Sequence, residues 1–290
     1  MRIFATFSAS LIIPGCGSFS GTGSDKRVLR LIDKWLTAGV IEEGEWTACE
    51  EGAPQGASAS PLLANVYLHY VLDLWADWWR RRHAHGDVII VRFADDFIVG
   101  FEDEQDAQRF LNDLRERLAR FGLELHPDKT RLIEFGRHAA RRRKARGLGK
   151  PETFDFLGFT HISGKTKWGK FWLKRITITK RMRAKLREVN DQLKRRRHQP
   201  IPVQGQWLRS VVQGHLAYYA VPGNIDAVTA FRSQATRHWF KALRRRSQRT
   251  RLNWERMNRL AKRWLPPARV KHPFPDVRFN ARTQGRSPVR

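Results

Sequence analysis

Two apolar runs, Val88 to Val91 and Phe97 to Phe101, flank the segment Arg92-Phe93-Ala94-Asp95-Asp96. Short apolar runs separated by a few turn-forming residues read as a β-hairpin. This hairpin places two adjacent carboxylates, Asp95 and Asp96, at its tip. An ordinary aspartate turn accounts for one acid. Two neighbours are a poor choice for stability alone, because each raises the cost of ionising the other. A divalent cation removes that conflict, and hard carboxylate oxygens suit Mg²⁺. Paired acids on such a tip are where metal ions can serve phosphoryl chemistry.

Charge is divided unevenly around this hairpin. The 290 residues carry 55 Lys and Arg against 28 Asp and Glu, a net +27. Residues 1–135 hold 15 basic and 21 acidic side chains, a net −6, whereas residues 136–290 hold 40 and 7, a net +33. A half that positive repels itself unless a polyanion neutralises it. Nucleic acid is the expected partner, because each neutralised phosphate releases counterions. No membrane partner is expected. No segment sets a long apolar face beside the basic one, and no run of about 18 apolar residues could span a bilayer. The two cysteines, Cys16 and Cys49, form no CxxC pair. That argues against zinc or a disulfide framework and for a reducing, cytoplasmic compartment. Residues 1–16 imitate a lipoprotein export signal ending at Cys16, but the apolar stretch is short, broken by serines and threonine, and Pro14 sits beside the cleavage position.

Residues 14–24 are mostly Gly, Ser and Thr, and residues 1–24 read as an unrelated, disordered N-terminus. From Asp25 the pattern turns helical, with Val28, Leu31, Ile32, Trp35 and Leu36 on one face and Gly39 as the stop. A second helix is predicted from Ser60, a capping residue followed by Pro61, to about Arg82. A third spans about 104–121, and short strands are expected at 123–126 and 131–135. Residues 137–150 read as a basic loop, followed by strands near 154–162 and 171–178. Helices with basic outer faces fill about 180–264, and the tail from 268 is irregular. Helices mixed with antiparallel hairpins, then helices alone, predict α+β followed by a helical domain.

Three further blocks carry chemistry only in combination. Gly52-Ala53-Pro54-Gln55-Gly56-Ala57 precedes the capped helix and is a loop whose backbone can approach a ligand, with Gln55 offering directional hydrogen bonds. Leu123-Glu124-Leu125-His126-Pro127-Asp128-Lys129-Thr130 sets a lysine after a tight turn, a point charge suited to phosphate. Phe154-Asp155-Phe156-Leu157-Gly158-Phe159 is an apolar strand whose glycine admits another backbone or a nucleic-acid strand. Taken singly, each is explained by a surface loop, a solvated lysine or core packing.

In this order and spacing the four blocks resemble the later blocks of the reverse transcriptase domain encoded by bacterial group II introns. Phe93-Ala94-Asp95-Asp96 matches the Tyr/Phe-Ala-Asp-Asp signature of the palm. Pro54-Gln55-Gly56 and Ser60-Pro61-Leu62-Leu63-Ala64-Asn65 match the block bordering the incoming nucleotide, and Lys129 and Phe156-Leu157-Gly158-Phe159 the two that follow. Trp207, Gly214-His215 and Tyr218-Tyr219-Ala220-Val221-Pro222-Gly223-Asn224 resemble the thumb or maturase region. The resemblance covers about residues 25–290. It implies a partial right-hand polymerase palm followed by an α-helical thumb/maturase domain, with partial fingers and palm at 25–178, thumb at 179–267 and a basic tail at 268–290.

The resemblance also implies roles. Two Mg²⁺ ions about 3.5–4 Å apart would activate a primer hydroxyl and steady the leaving pyrophosphate, with Asp95 as direct ligand and Asp96 assisting. Pro54, Gln55, Gly56, Phe93 and Lys129 would serve the nucleotide, and Leu157 and Gly158 would border the primer. Lys174, Arg175, Lys180, Arg181, Arg183, Lys185, Arg209, His215, Tyr218 and Tyr219 would grip intron RNA by phosphate and shape contacts. Partners would be group II intron RNA, primer/template and deoxynucleoside triphosphates.

One departure matters. The family carries a further aspartate on a strand upstream of the Asp25 helix, and residues 1–24 contain neither Asp nor Glu. A truncated enzyme with impaired polymerisation is therefore expected, with an RNA-binding remnant that only assists splicing as the alternative. Other signals carry less. Ser163-Gly164-Lys165-Thr166 mimics a phosphate-binding loop, but Phe159 stands where its first glycine belongs. His83 and His85 lack a third ligand, and Trp75, Trp78 and Trp79 are expected to pack rather than stack on bases.

Overall fold

Strand β5 (Asp96–Phe101) is buried at every residue after Asp96, because it has neighbours on both edges and helices above it. On one edge lies β4 (Val88–Phe93), completing the hairpin with Phe93 opposite Asp96. On the other lies β1 (Arg2–Ser10), antiparallel, in a register that runs from Ile3 opposite Phe101 to Ser8 opposite Asp96. The far edge of β1 pairs with β7 (Arg131–Phe135) and, at its end, with β6 (Glu124–Leu125). A separate two-stranded ribbon joins β2 (Val40–Glu42) to β3 (Glu45–Thr47). The computed structural model describes residues 2–10, 25, 27, 30, 31, 34, 40–42, 45–47, 60–247 and 251–274.

The place of β1 corrects the expectation of an unrelated, disordered N-terminus for residues 2–10. Ile3, Phe4, Thr6 and Phe7 are β-branched or aromatic, the residue types favoured in strands. The signal is short, and only the two exposed edges of β5 and β7 make use of it.

Helices α1 (Ser60–Leu68) and α2 (Leu74–Arg82) are joined by a π-helical segment, His69–Asp73, where one uninterrupted helix is expected from sequence. With α3 (Glu104–Ala119) they cover the sheet. Trp79 is 1% exposed, meets Phe110 edge-on at 5.0 Å and donates its indole N–H to Asp113 at 2.7 Å. Trp75 is half-buried against Phe110, but Trp78 is exposed, so the packing reading holds for two of the three tryptophans. Before β4, buried Asp106 accepts from the backbone N–H groups of His85 and Gly86 and from Arg109. Burial alone would raise its pKa, but these donors hold it below the usual carboxylate value.

Residues 137–150 are not all loop. Ala139–Ala145 forms α4, as its alanines, arginines and lysine favour. Near Asp25, residues 27, 30, 31 and 34 are helical, and the Asp25 carboxylate accepts from Arg27 N–H at 2.8 Å, a capping contact.

The chain divides into two units, Met1–Glu152 and Thr153–Pro288. The expected boundary after 178 is therefore displaced. Strands β8 (Phe154–Phe156), β9 (Phe159–Lys165) and β10 (Phe171–Thr177) form one antiparallel sheet that belongs with the helices. The reason is local bonding. Buried Asn224 accepts from Thr177 N–H and donates to the Thr177 hydroxyl and the Tyr219 carbonyl. Helices α5 (Thr179–Arg195), α6 (Ile201–Tyr219), α7 (Ile225–Arg244) and α8 (Trp254–Trp264) enclose a core of Val189, Leu208, Val212, Phe231, Trp239 and Met257. Within it Trp239 donates to Gln204, whose amide nitrogen donates to the carbonyls of Arg197 and Gln199. Part of the tail is ordered against α6, with Lys271 N–H donating to the Ala220 carbonyl at 2.9 Å. The α+β class followed by helices agrees with the sequence reading. Among the described residues, no helix is long and apolar enough to cross a membrane.

Candidate catalytic hairpin and basic cavity

Ala94 and Asp95 form the two-residue loop of the β4–β5 hairpin. Ala94 adopts φ 54, a left-handed conformation that costs a non-glycine residue about 1–2 kcal/mol. Something must hold it there, and Arg92 supplies the restraint. Its Nε and Nη2 donate to both oxygens of Asp73 at 2.7 and 2.6 Å, while Nη1 donates to Asn65 at 2.8 Å and to the Ala94 carbonyl at 2.9 Å. Four of the five N–H groups of the guanidinium fork are thus engaged, one of them by the loop itself. Asn65 and Asp73 are eight residues apart, about 80° out of phase on a regular α-helix. The wider π-helical turn between them takes up part of that rotation.

The acids themselves are left unengaged. Asp95 is half-buried and Asp96 exposed, and among the described residues neither carboxylate has a hydrogen-bond or ion-pair partner. No third His, Cys, Asp or Glu among the described residues joins them in a metal-sized cluster. Mg²⁺ is commonly held by one or two carboxylates plus substrate phosphates. The pair fits that ion provided that substrate oxygens or another acid complete the shell. The strand beside Asp96 is β1, and its paired residue is Ser8.

In the second unit, Leu157 and Gly158 are the loop of a tight hairpin between β8 and β9, not the middle of one strand. Their φ values of 47 and 80 have the signs of a type I′ turn, which explains the break. Tyr218 of α6 donates its hydroxyl to the Leu157 carbonyl at 2.8 Å and stacks on Phe159. A Cβ on Gly158 would lie 2.8 Å from the Tyr219 hydroxyl oxygen, so the close neighbour that this glycine admits is an aromatic side chain of its own unit.

Between α5 and α6 lies a cavity of about 400 Å³, lined by Arg181, Met182 and Lys185 on one side and Ser210, Val211, Gly214, His215, Tyr218 and Tyr219 on the other. His215 is 9% exposed and stacks on Phe231 with ring centres 3.6 Å apart. Burial, with Lys185 nearby, lowers its pKa to about 4, so it is neutral at pH 7.

Residues 20–161 match the reverse transcriptase (RNA-dependent DNA polymerase) family. The match covers just under half of the chain. A stretch of 54 residues is 47% identical to the group II intron-encoded protein LtrA of Lactococcus lactis subsp. cremoris, covering 17% of this chain and 9% of the relative. Protein YkfC of Escherichia coli is 28% identical over 177 residues, 50% of this chain and 42% of that one. The matches therefore span less than half the length of either relative. Among solved structures, an apo telomerase from Candida tropicalis aligns over 55% of this chain and 33% of its own, with a TM-score of 0.40 at 15% identity.

In the reverse transcriptase segment the acidic pair lies at a hairpin tip, as its sequence suggests. Phe93 precedes it, 63% exposed, and Lys129 lies exposed in the turn before β7. Pro54, Gln55 and Gly56 fall outside the described residues, as do Cys16 and Cys49. Of the residues expected to touch RNA, five gather at the α5–α6 cavity: Arg181, Lys185, His215, Tyr218 and Tyr219. Lys174 and Arg175 are neighbours on β10 and so face opposite sides of that sheet. Lys180, Arg183 and Arg209 are exposed on α5 and α6 away from the cavity lining. His215, though buried, forms part of the wall of that cavity. Sequence reasoning overlooked Asp73 and the anchoring role of Arg92 and Asn65. The available signal was an arginine inside an otherwise apolar strand, which needs an acid to receive it.

Proposed function

We propose that this chain is a reverse transcriptase and maturase of group II intron type that binds intron RNA and polymerises weakly. The observation that carries the reading is the Asp95-Asp96 pair, without a partner among the described residues, at a clamped hairpin tip inside the segment that matches the family. Bound Mg²⁺ would supply the Lewis acid for nucleotide transfer. Asp95 and Asp96 would hold it, and Arg92 would fix the loop that presents them. Primer/template and deoxynucleoside triphosphates are the substrates on this reading, and the +33 charge of residues 136–290 supports RNA as the standing partner. A reducing, cytoplasmic setting accords with a sequence that has only two cysteines and no CxxC motif.

Impairment is part of the proposal. Strand β1 lies directly beside the acidic hairpin and offers Ser8 opposite Asp96, and residues 1–24 contain no acid. That same observation favours a second reading, an RNA-binding remnant that assists splicing without copying. Primer extension on a primed RNA template, run beside an RNA-binding assay, separates the two. The main reading expects weak, Mg²⁺-dependent extension that Asp95→Ala abolishes and Ser8→Asp increases, because position 8 is the one paired with Asp96 on the adjacent strand. The remnant reading expects RNA binding without extension in any of these variants. Robust extension by the unaltered chain overturns impairment, and extension that survives Asp95→Ala overturns the site.

A further inference from the structure

Helix α6 contains two glycines that have different reasons to be there. Each costs the helix about 1 kcal/mol relative to alanine. At Gly205 packing explains the cost, because a Cβ would stand 2.5 Å from Cδ2 of Trp264. At Gly214 nothing in the protein does, because a Cβ would meet no atom within 4 Å. What the missing side chain preserves is space, and the space is the α5–α6 cavity, which Gly214 lines.

The chemistry around that space is specific. On α6, Ser210, Gly214 and Tyr218 stand at intervals of four, as do Val211, His215 and Tyr219, so two adjacent rows of one helix face the cavity. Tyr218 is 51% exposed, yet its ring is held by Phe159 and by the hydroxyl bond to Leu157. It is a rigid aromatic wall. Met182 and Val211 add apolar surface. Across from them, Arg181 has no acidic partner among the described residues, and Lys185 is shared with Glu188 at the surface. The pocket therefore combines a flat aromatic face, an apolar flank and a free guanidinium. Its volume falls within the range of about 300–1,000 Å³ typical of small-molecule sites.

We propose that this cavity receives a single unstacked nucleotide of a bound RNA, with the base against Tyr218, Met182 and Val211 and the phosphate on Arg181. Recognition of single-stranded or bulged RNA usually takes this form, an aromatic platform beside a cation. The inference rests on the RNA-binding reading above but adds a discrete site to what would otherwise be diffuse attraction. A basic surface alone binds paired and bulged RNA alike, whereas a pocket prefers a base that can leave the stack.

The test fills the pocket without changing any charge. Two RNA hairpins of equal length serve as probes, one fully paired and one with a single bulged nucleotide. Affinities are measured with the full chain, Gly214→Phe and Arg181→Ala. Since position 214 has room and glycine is a poor helix former, Gly214→Phe should melt no lower than the unaltered chain. The unaltered chain should bind the bulged hairpin roughly tenfold more tightly than the paired one, the scale of one stacked base. Gly214→Phe should lose that preference while keeping its affinity for paired RNA, and Arg181→Ala should reduce it. A bulge preference unaffected by Gly214→Phe, or no preference at all, overturns the pocket but leaves RNA binding standing. No binding of either hairpin overturns the RNA reading and the pocket with it.

Discussion

Acidification should destabilise the second unit through His215. In the folded chain burial lowers this imidazole from an ordinary value near 6.5 to about 4. The unfolded chain therefore binds a proton that the folded chain refuses throughout that interval. The resulting stability is fully present above pH 6.5 and drains away as pH falls towards 4. At pH 5 the unfolded imidazole is almost wholly charged and the folded one almost wholly neutral, a loss of about 2 kcal/mol. For a unit spanning Thr153–Pro288, an unfolding entropy of about 2 cal/mol/K per residue converts this to roughly 7 °C. Burial and nearby lysines lower His238 in the same direction, and burial, with Arg175 nearby, lowers His161, so total acid sensitivity exceeds this share. Calorimetry at pH 7 and pH 5 isolates it by comparison with His215→Phe, a ring that can stack on Phe231 without titrating. The variant should lose about 7 °C less on acidification than the unaltered chain. Equal losses, or a folded His215 that titrates near 6.5 by NMR, would refute the reasoning.

Other substitutions test the remaining geometry. Gly158→Ala must place a Cβ at φ 80 and 2.8 Å from the Tyr219 hydroxyl oxygen, so it should cost about 1–3 kcal/mol in denaturant unfolding. Arg92→Lys keeps the charge but loses the fork that joins Asp73, Asn65 and Ala94, and should cost about 1–3 kcal/mol in urea melts of the first unit. Gly205→Ala should destabilise against Trp264, whereas Gly214→Ala should stabilise by up to about 1 kcal/mol, a contrast within one helix that thermal melts can read. RNA affinity should fall steeply between 50 and 200 mM salt, with a log–log slope proportional to the phosphates neutralised.

The hairpin at Asp95 was legible because period, turn residues and charge all lie within about fifteen residues. Local signals of this kind also exposed the helix from Ser60, whose cap and proline are adjacent, and the run of amphipathic helices after 180. Where the reading went astray, the deciding partner was distant in sequence. Phe154-Asp155-Phe156-Leu157-Gly158-Phe159 looks like one apolar strand, and only its pairing with β9 and the grip of Tyr218 reveal a turn. Residues 2–10 look like a poor strand until β5 and β7 flank them.

Sequence alone thus determined the acidic pair, the polarity of charge between the halves and the α+β order, since each is a property of neighbours along the chain. Tertiary structure decided which arginine holds the Ala94-Asp95 loop, which strand stands beside Asp96, and that Gly214 lines a cavity. Those answers depend on atoms brought together across tens of residues, and no local pattern encodes the space left between two helices.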